Sequence, residues 1–145
     1  MGQPPALGLG LALAQPDREV IVFTGDGSLL MNLGCLVTIV AAAATNFTLI
    51  VIDNGVYEVT GGQRTVASIG GVDFPAMAKA AGISSVECFD DLTDWQLRAA
   101  DVLKLPGPRA IVLATEPVRD NFALHIPEPV TDRLKRFQAA LGERD

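Results

Sequence analysis

Two short segments, Gly25-Asp26-Gly27-Ser28 and Asp53-Asn54-Gly55-Val56-Tyr57, hold oxygen donors beside flexible main chain. Asp26 offers a carboxylate and Asn54 an amide oxygen. A turn at Gly55-Val56 can offer a backbone carbonyl. Hard oxygen donors of this kind suit Mg²⁺, which takes few protein ligands and completes its shell with phosphates and water. Gly25 and Gly27 let the main chain approach a ligand closely. The amides of Gly27 and Ser28 open the next helix, where N–H groups and the dipole favour phosphate. Together the two segments read as a magnesium–diphosphate site. Taken singly, each is also an ordinary turn.

The elements around these segments must bring them together. Asp26 and Asn54 lie 28 positions apart, the length of one strand–helix–strand crossover. Such a crossover is right-handed and returns the chain parallel to itself. Both segments are then at one edge of a sheet, within one or two strand spacings, roughly 5 to 10 Å. Residues 5–14 read as an Ala/Leu/Gly helix, and Gln15-Pro16-Asp17 ends it. Residues 19–24 form a buried strand, 29–44 a helix and 47–53 a second buried strand. Residues 54–72 are Gly-rich and irregular. Asp73 caps a helix over 74–81, which Gly82 ends. A strand follows at 85–89. A helix capped by Thr93 or Asp94 runs to about Leu105, where Pro106-Gly107-Pro108 stops it. Residues 109–115 form a fourth strand, and a polar helix covers about 130–141.

Solidly apolar strands separated by helices indicate a parallel sheet covered on both faces. The expected fold is α/β: a doubly wound, mostly parallel sheet with helices on both faces. Ligands of such sheets sit outside the carboxyl ends of the strands, where Asp26 and Asn54 fall.

Composition narrows the function classes. The 145 residues are 49% hydrophobic and 19% charged, which excludes a disordered chain. The size suits one domain over 1–145. The charge sum is 11 − 17 = −6, with no Lys/Arg cluster, so no nucleic-acid partner is expected. The most apolar stretch, Leu29 to Ala44, carries Asn32 and Thr38 and is short of the roughly 20 residues that span a bilayer. No membrane partner is expected, and Met1-Gly2-Gln3-Pro4-Pro5 lacks the positive start of a signal peptide. Cys35 and Cys88 have no CxxC spacing. They are expected as buried apolar groups in a reducing cytoplasm. The mean hydropathy of +0.33 points to a large core or a permanent interface.

GDGSLLMNLGCLVTIVAAAATNFTLIVIDN, a GDG followed just under 30 residues later by Asn, resembles the motif of thiamine-diphosphate enzymes. The resemblance is to their diphosphate-binding (PP) domain, of which thiamine diphosphate and Mg²⁺ are the cofactors. It covers nearly the whole chain. It implies that Asp26 and Asn54 are side-chain ligands of Mg²⁺ and that Val56 supplies its carbonyl. It implies that Gly27 and Ser28 bind the diphosphate through their N–H groups, with Gly25 allowing close approach and Tyr57 beside it. The run ALGLGLALAQPDREVIVFTGDG is similar to the family's approach to GDG. In that alignment Met1 is the bulky apolar residue that props the bent cofactor.

Within the family, DNGVYEVTGGQRT resembles the small 2-oxoacid decarboxylases of the sulfopyruvate and phosphonopyruvate type, including their β subunits. The implied activity is a thiamine-diphosphate-dependent lyase acting on a 2-oxo acid. The implied catalytic glutamate belongs to a pyrimidine-binding (Pyr) domain on a partner chain, in an α₂β₂ or larger hetero-oligomer. The chain is expected to be inactive alone and to lack the first strand–helix unit of the family domain. Gln63 and Arg64 are candidates to face an anionic substrate tail, with a solvated loop as the alternative. His125, the only histidine, is a candidate acid/base near the site's mouth or a structural residue. Asp26 is expected as an exposed strand-end group. Rival readings are an acetolactate synthase-like subunit, a 2-oxoacid oxidoreductase subunit, or a non-catalytic domain serving only assembly.

Overall fold

The computed structural model describes residues 1–118 and 128–142. The elements in chain order are α1 (Pro4–Ala14), β1 (Val20–Gly25), α2 (Asp26–Leu30), α3 (Cys35–Ala42) and β2 (Phe47–Asp53). A short hairpin follows, β3 (Val56–Tyr57) and β4 (Gln63–Arg64), joined by a 3₁₀ turn at Glu58–Thr60. Then come α4 (Val66–Gly70), α5 (Phe74–Ala81), β5 (Ser85–Phe89), α6 (Leu92–Val102), β6 (Arg109–Ala114) and α7 (Val130–Gly142).

The four long strands make one parallel sheet in the order β1-β2-β6-β5. This bears out the expected class, an α/β fold with a parallel sheet. Gly25 pairs opposite Ile52, so the ends of β1 and β2 finish level and their loops leave from the same edge. Alternation along the strands sorts side chains between two cores. Val22, Leu49, Val51, Ala110 and Val112 face α1, α3 and α5 and pack with Leu9, Ile39, Phe74 and Ala78. Ile50 and Ile111 face the other way, toward α6, with Val102 and Trp95. Each fully buried Leu or Ile contributes roughly 2 kcal/mol. The second core is the smaller. Among the described residues it leaves Ile21 and Phe23 of β1 43% and 62% exposed.

Close approach of α1 to the sheet depends on Gly8. A Cβ there would lie 2.1 Å from Val22 Cγ2, so any larger residue would push helix and strand apart.

Local expectations were revised in four places. The helix expected over 29–44 is two pieces, because Met31–Gly34 form a turn held by i→i−3 bonds such as Asn32 N–H to Leu29 O. There the Asn32 amide donates to Gly2 O at 3.0 Å, tying the N-terminal segment down. The irregular stretch 54–72 contains the hairpin and α4. The α6 cap is Asp91, not Thr93 or Asp94. Asp91 has the extended backbone that a cap needs, and its carboxylate accepts from Asp94 N–H at 2.8 Å. Finally, Cys35 is buried but Cys88 is exposed, because Cys88 lies on the edge strand β5. Partial desolvation, then Asp90, Asp73 and Asp53 nearby, push the Cys88 thiol above its usual range, with Lys79 acting in the opposite sense.

Candidate functional site

The site begins where β1 runs out. At Gly25 the chain is extended, and at Asp26 it turns into α2. Asp26 is therefore the first residue of a helix at a strand's carboxyl end. It is 1% exposed, so the expectation of an exposed strand-end group is corrected. The physical reason is that the hairpin and α4 fold over it. Thr65, itself fully buried, donates its hydroxyl to Asp26 Oδ2 at 2.9 Å. Asp26 Oδ1 is buried with no hydrogen-bond partner among the described residues. Thr24 Oγ1 and Glu128 Oε1 share that condition, but neither residue lines the cleft described next.

A cleft of about 430 Å³ opens at the carboxyl ends of β1 and β2. Asp26, Gly25, Gly27 and Ser28 line it from the β1 side, and Asn54, Val56 and Tyr57 from the β2 side. Met1 lies at its rim and is 75% exposed. The structure thus brings eight residues singled out from the sequence into one cleft. Gln63 and Arg64 are not among its lining residues. Gln63 bonds Thr60 O at 3.2 Å, and Arg64 bonds Ser68 O at 3.0 Å. His125 lies outside the described residues.

Each wall has a local cause. Asn54 Oδ1 accepts from Val56 N–H at 3.1 Å, closing the turn after β2. An amide oxygen has two lone pairs, so one acceptor position remains. Gly55 takes φ +72° at that turn. Ser28 Oγ accepts from Gly2 N–H at 3.0 Å, which fixes the segment that carries Met1. Gly27 lies under the Tyr57 ring, where a Cβ would come 2.4 Å from Tyr57 Cε1.

Electrostatics add a feature that residue spacing did not suggest. Burial, and then the charge of Asp26, hold the Asp53 carboxyl above the usual carboxylate range, with the Gly55 N–H acting in the opposite sense. A cation between the two strand ends would relieve that repulsion. Among the described residues no group of three or more His, Cys, Asp and Glu side chains is arranged for a metal. The donor set here is instead one carboxylate, one amide and main-chain carbonyls, which is the hard-oxygen chemistry of Mg²⁺.

Two residues of the site were missed from the sequence. Thr65 closes TGGQRT and caps α4 by accepting from Ser68 N–H at 3.2 Å. A Thr at a helix start is a local cap signal. Its contact with Asp26, 39 positions away, has no local signal. Glu58 lines the cleft and accepts from Val118 N–H.

The sequence matches the family described as "Thiamine pyrophosphate enzyme, C-terminal TPP binding domain" over residues 1–112. It is similar to a phosphonopyruvate decarboxylase of Streptomyces viridochromogenes, 45% identical over 117 residues, covering 81% of this chain and 29% of that protein. It is also similar to a sulfopyruvate decarboxylase subunit beta of Methanothermobacter thermautotrophicus, 44% identical over 123 residues, covering 85% of this chain and 60% of that one. The chain thus spans less than two thirds of the length of either relative. The fold resembles a thiamine diphosphate-dependent 4-hydroxybenzoylformate decarboxylase of Rhodococcus jostii RHA1, with TM-score 0.67, 22% identity, and coverage of 83% and 24%. Given the match from residue 1 to 112, the chain belongs to the thiamine pyrophosphate enzymes, as their C-terminal TPP-binding domain.

Proposed function

We propose that this chain holds the magnesium–diphosphate end of thiamine diphosphate in a 2-oxoacid decarboxylase of the sulfopyruvate or phosphonopyruvate type. One observation carries the reading. Asp26 is buried in the cleft with one oxygen held and the other unpartnered, and Asn54 stands at the neighbouring strand's tip. A buried carboxylate oxygen with no donor costs about 1–3 kcal/mol, which a cation would offset.

In this reading Asp26 and Asn54 hold Mg²⁺ by side chain and Val56 by its carbonyl. Gly25 and Gly27 bring the main chain close to the diphosphate, and the N–H groups of Gly27 and Ser28 bind it. Tyr57 walls the diphosphate on one side. Met1, fixed through Gly2, supports the cofactor at the rim. When bound, thiamine diphosphate supplies the electron sink for loss of CO₂. The chain's own part is to bind, orient and wall off that group. Arg64 on the hairpin, outside the cleft lining, is the group assigned to the anionic tail of the substrate, with Gln63 beside it.

Residues 1–145 act as one PP module, and the catalytic glutamate comes from a Pyr-domain partner in a hetero-oligomer. The name "subunit beta" of the Methanothermobacter relative supports a partner. So do the exposed apolar side chains Leu7, Phe23 and Val37, which suit an interface. No helix among the described residues is long and apolar enough to cross a membrane. A cytoplasmic site of action fits the two free cysteines.

Calorimetry on the chain co-expressed with a Pyr-domain polypeptide tests the reading. Thiamine diphosphate should bind with Mg²⁺ and fail to bind with EDTA. A panel of 2-oxo acids then identifies the substrate by product mass. Binding that ignores Mg²⁺ would sink the site assignment. Decarboxylation by the purified chain alone would sink the need for a partner.

A further inference from the structure

Thr65 is fully buried and bonds to both halves of the cleft, by its side chain to one and its main chain to the other. Its hydroxyl donates to Asp26 Oδ2 at 2.9 Å and accepts from Ser68 N–H at 3.2 Å. Its own N–H donates to Gly55 O at 2.8 Å, in the turn that carries Asn54. The residue before it, Arg64, pairs with Val56 across the hairpin. One residue therefore touches the helix that presents Asp26, the turn that presents Asn54, and the hairpin that presents Val56.

A carboxylate on a single Cβ can rotate, and rotation exchanges its two oxygens. A donor fixed on one oxygen stops that exchange and leaves the other in a defined place. The Thr65 hydroxyl is itself oriented, because the Ser68 N–H occupies one of its lone pairs and so directs its proton toward Asp26. Room for this arrangement is narrow. A Cβ on Gly27 would lie 3.3 Å from Thr65 Cγ2, so the methyl group packs against the GDG turn while the hydroxyl faces the carboxylate.

We infer that Thr65 is a positioning residue for the metal. It holds Asp26 so that Oδ1 is the oxygen offered to Mg²⁺, and it keeps the Asn54 turn in register with that oxygen. The inference rests on the proposed magnesium–diphosphate reading. It reaches beyond it by assigning a role to a residue that touches neither cofactor nor substrate.

The test separates metal affinity from cofactor affinity in the 145-residue chain co-expressed with its Pyr-domain partner. Binding of thiamine diphosphate is measured by calorimetry across a series of MgCl₂ concentrations. Thr65→Val keeps the shape and removes the hydroxyl, whereas Thr65→Ser keeps the hydroxyl. Thr65→Val should raise the Mg²⁺ needed for half-saturation about tenfold, the size of one lost charge-assisted hydrogen bond. At saturating Mg²⁺ its thiamine diphosphate affinity should return to the wild-type value, and Thr65→Ser should behave as wild type throughout. Equal loss at every Mg²⁺ concentration would mark Thr65 as a general structural residue and overturn the inference. So would a Thr65→Val profile that matches wild type, while leaving the magnesium reading intact. Wild-type binding that ignores Mg²⁺ would instead remove the reading itself, and the inference with it. Thermal denaturation of Thr65→Val in the absence of any ligand checks that it folds. If it does not fold, Thr65→Ala takes its place in the same MgCl₂ series, with the same expected rise in the Mg²⁺ requirement and the same overturning outcomes.

Discussion

The two edges of one sheet each bury a charged side chain, and they treat it in opposite ways. At the amino edge, Arg109 is 3% exposed, and each of its nitrogens has an acceptor. Nε donates to Thr48 Oγ1 at 2.6 Å, Nη1 to Leu105 O and Nη2 to the Glu19 carboxylate. At the carboxyl edge, Asp26 is 1% exposed, with Thr65 on one oxygen and no described residue bonded to the other. Taking a charge out of water costs several kcal/mol unless protein groups replace the water. For Arg109 the chain supplies those groups itself. For Asp26 it supplies only half of them, at the edge where ligands of parallel sheets bind. The contrast separates a charge whose partners are all within the fold from one that is only half-partnered, as the proposed ligand role requires.

The largest expected effect breaks the comparison on the ligand side. Asp26→Ala should reduce Mg²⁺-dependent thiamine diphosphate binding by at least about 100-fold, since it removes the carboxylate proposed to hold the metal. Its unfolding free energy in urea should fall by less than about 1 kcal/mol, because a half-partnered buried charge leaves with the side chain. Normal cofactor binding by this variant would show that Asp26 is not the ligand.

Arg109→Met breaks it on the architectural side. Thr48 Oγ1 and Leu105 O lose their donor, and urea denaturation should show a loss of about 3 kcal/mol. The variant that remains folded should bind thiamine diphosphate as wild type does. A selective loss of cofactor affinity without a change in stability would erase the distinction between the two edges.

Gly27→Ala sharpens the comparison without touching a charge. The added Cβ would meet the Tyr57 ring at 2.4 Å, and relieving such overpacking costs about 1–3 kcal/mol. If the ring swings toward the diphosphate path, cofactor affinity measured by calorimetry should fall roughly tenfold. Adding Tyr57→Ala should recover part of it.

Arg64→Ala gives the smallest effect. Arg64 is exposed and bonds Ser68, so its contribution to an anionic substrate is that of a screened surface charge. KM for an anionic 2-oxo acid should rise about two- to fivefold, with kcat nearly unchanged. That split is expected when ground and transition states are bound alike. An unchanged KM leaves Arg64 as part of the hairpin surface.

Much of this protein follows from local sequence, and the reason is that the relevant signals are short-ranged. Apolar runs such as FTLIVID specify buried strands by their own composition. The Asp73 cap and the Gly82 stop bound a helix within ten residues. The spacing from GDG to Asn54 sets one crossover, and crossover handedness then puts both tips on one edge. The family motif lies wholly within that unit, so the cleft residues from Gly25 to Tyr57 could be named together. Tertiary structure decided what depends on distant neighbours. The order β1-β2-β6-β5 and the exposure of Cys88 come from which strand ends at the sheet's edge. The break between α2 and α3 accompanies the Asn32 contact with Gly2. Above all, burial of Asp26 and its grip by Thr65 join residues 39 positions apart. No local pattern records that contact, because it exists only once the hairpin has folded back over the end of β1.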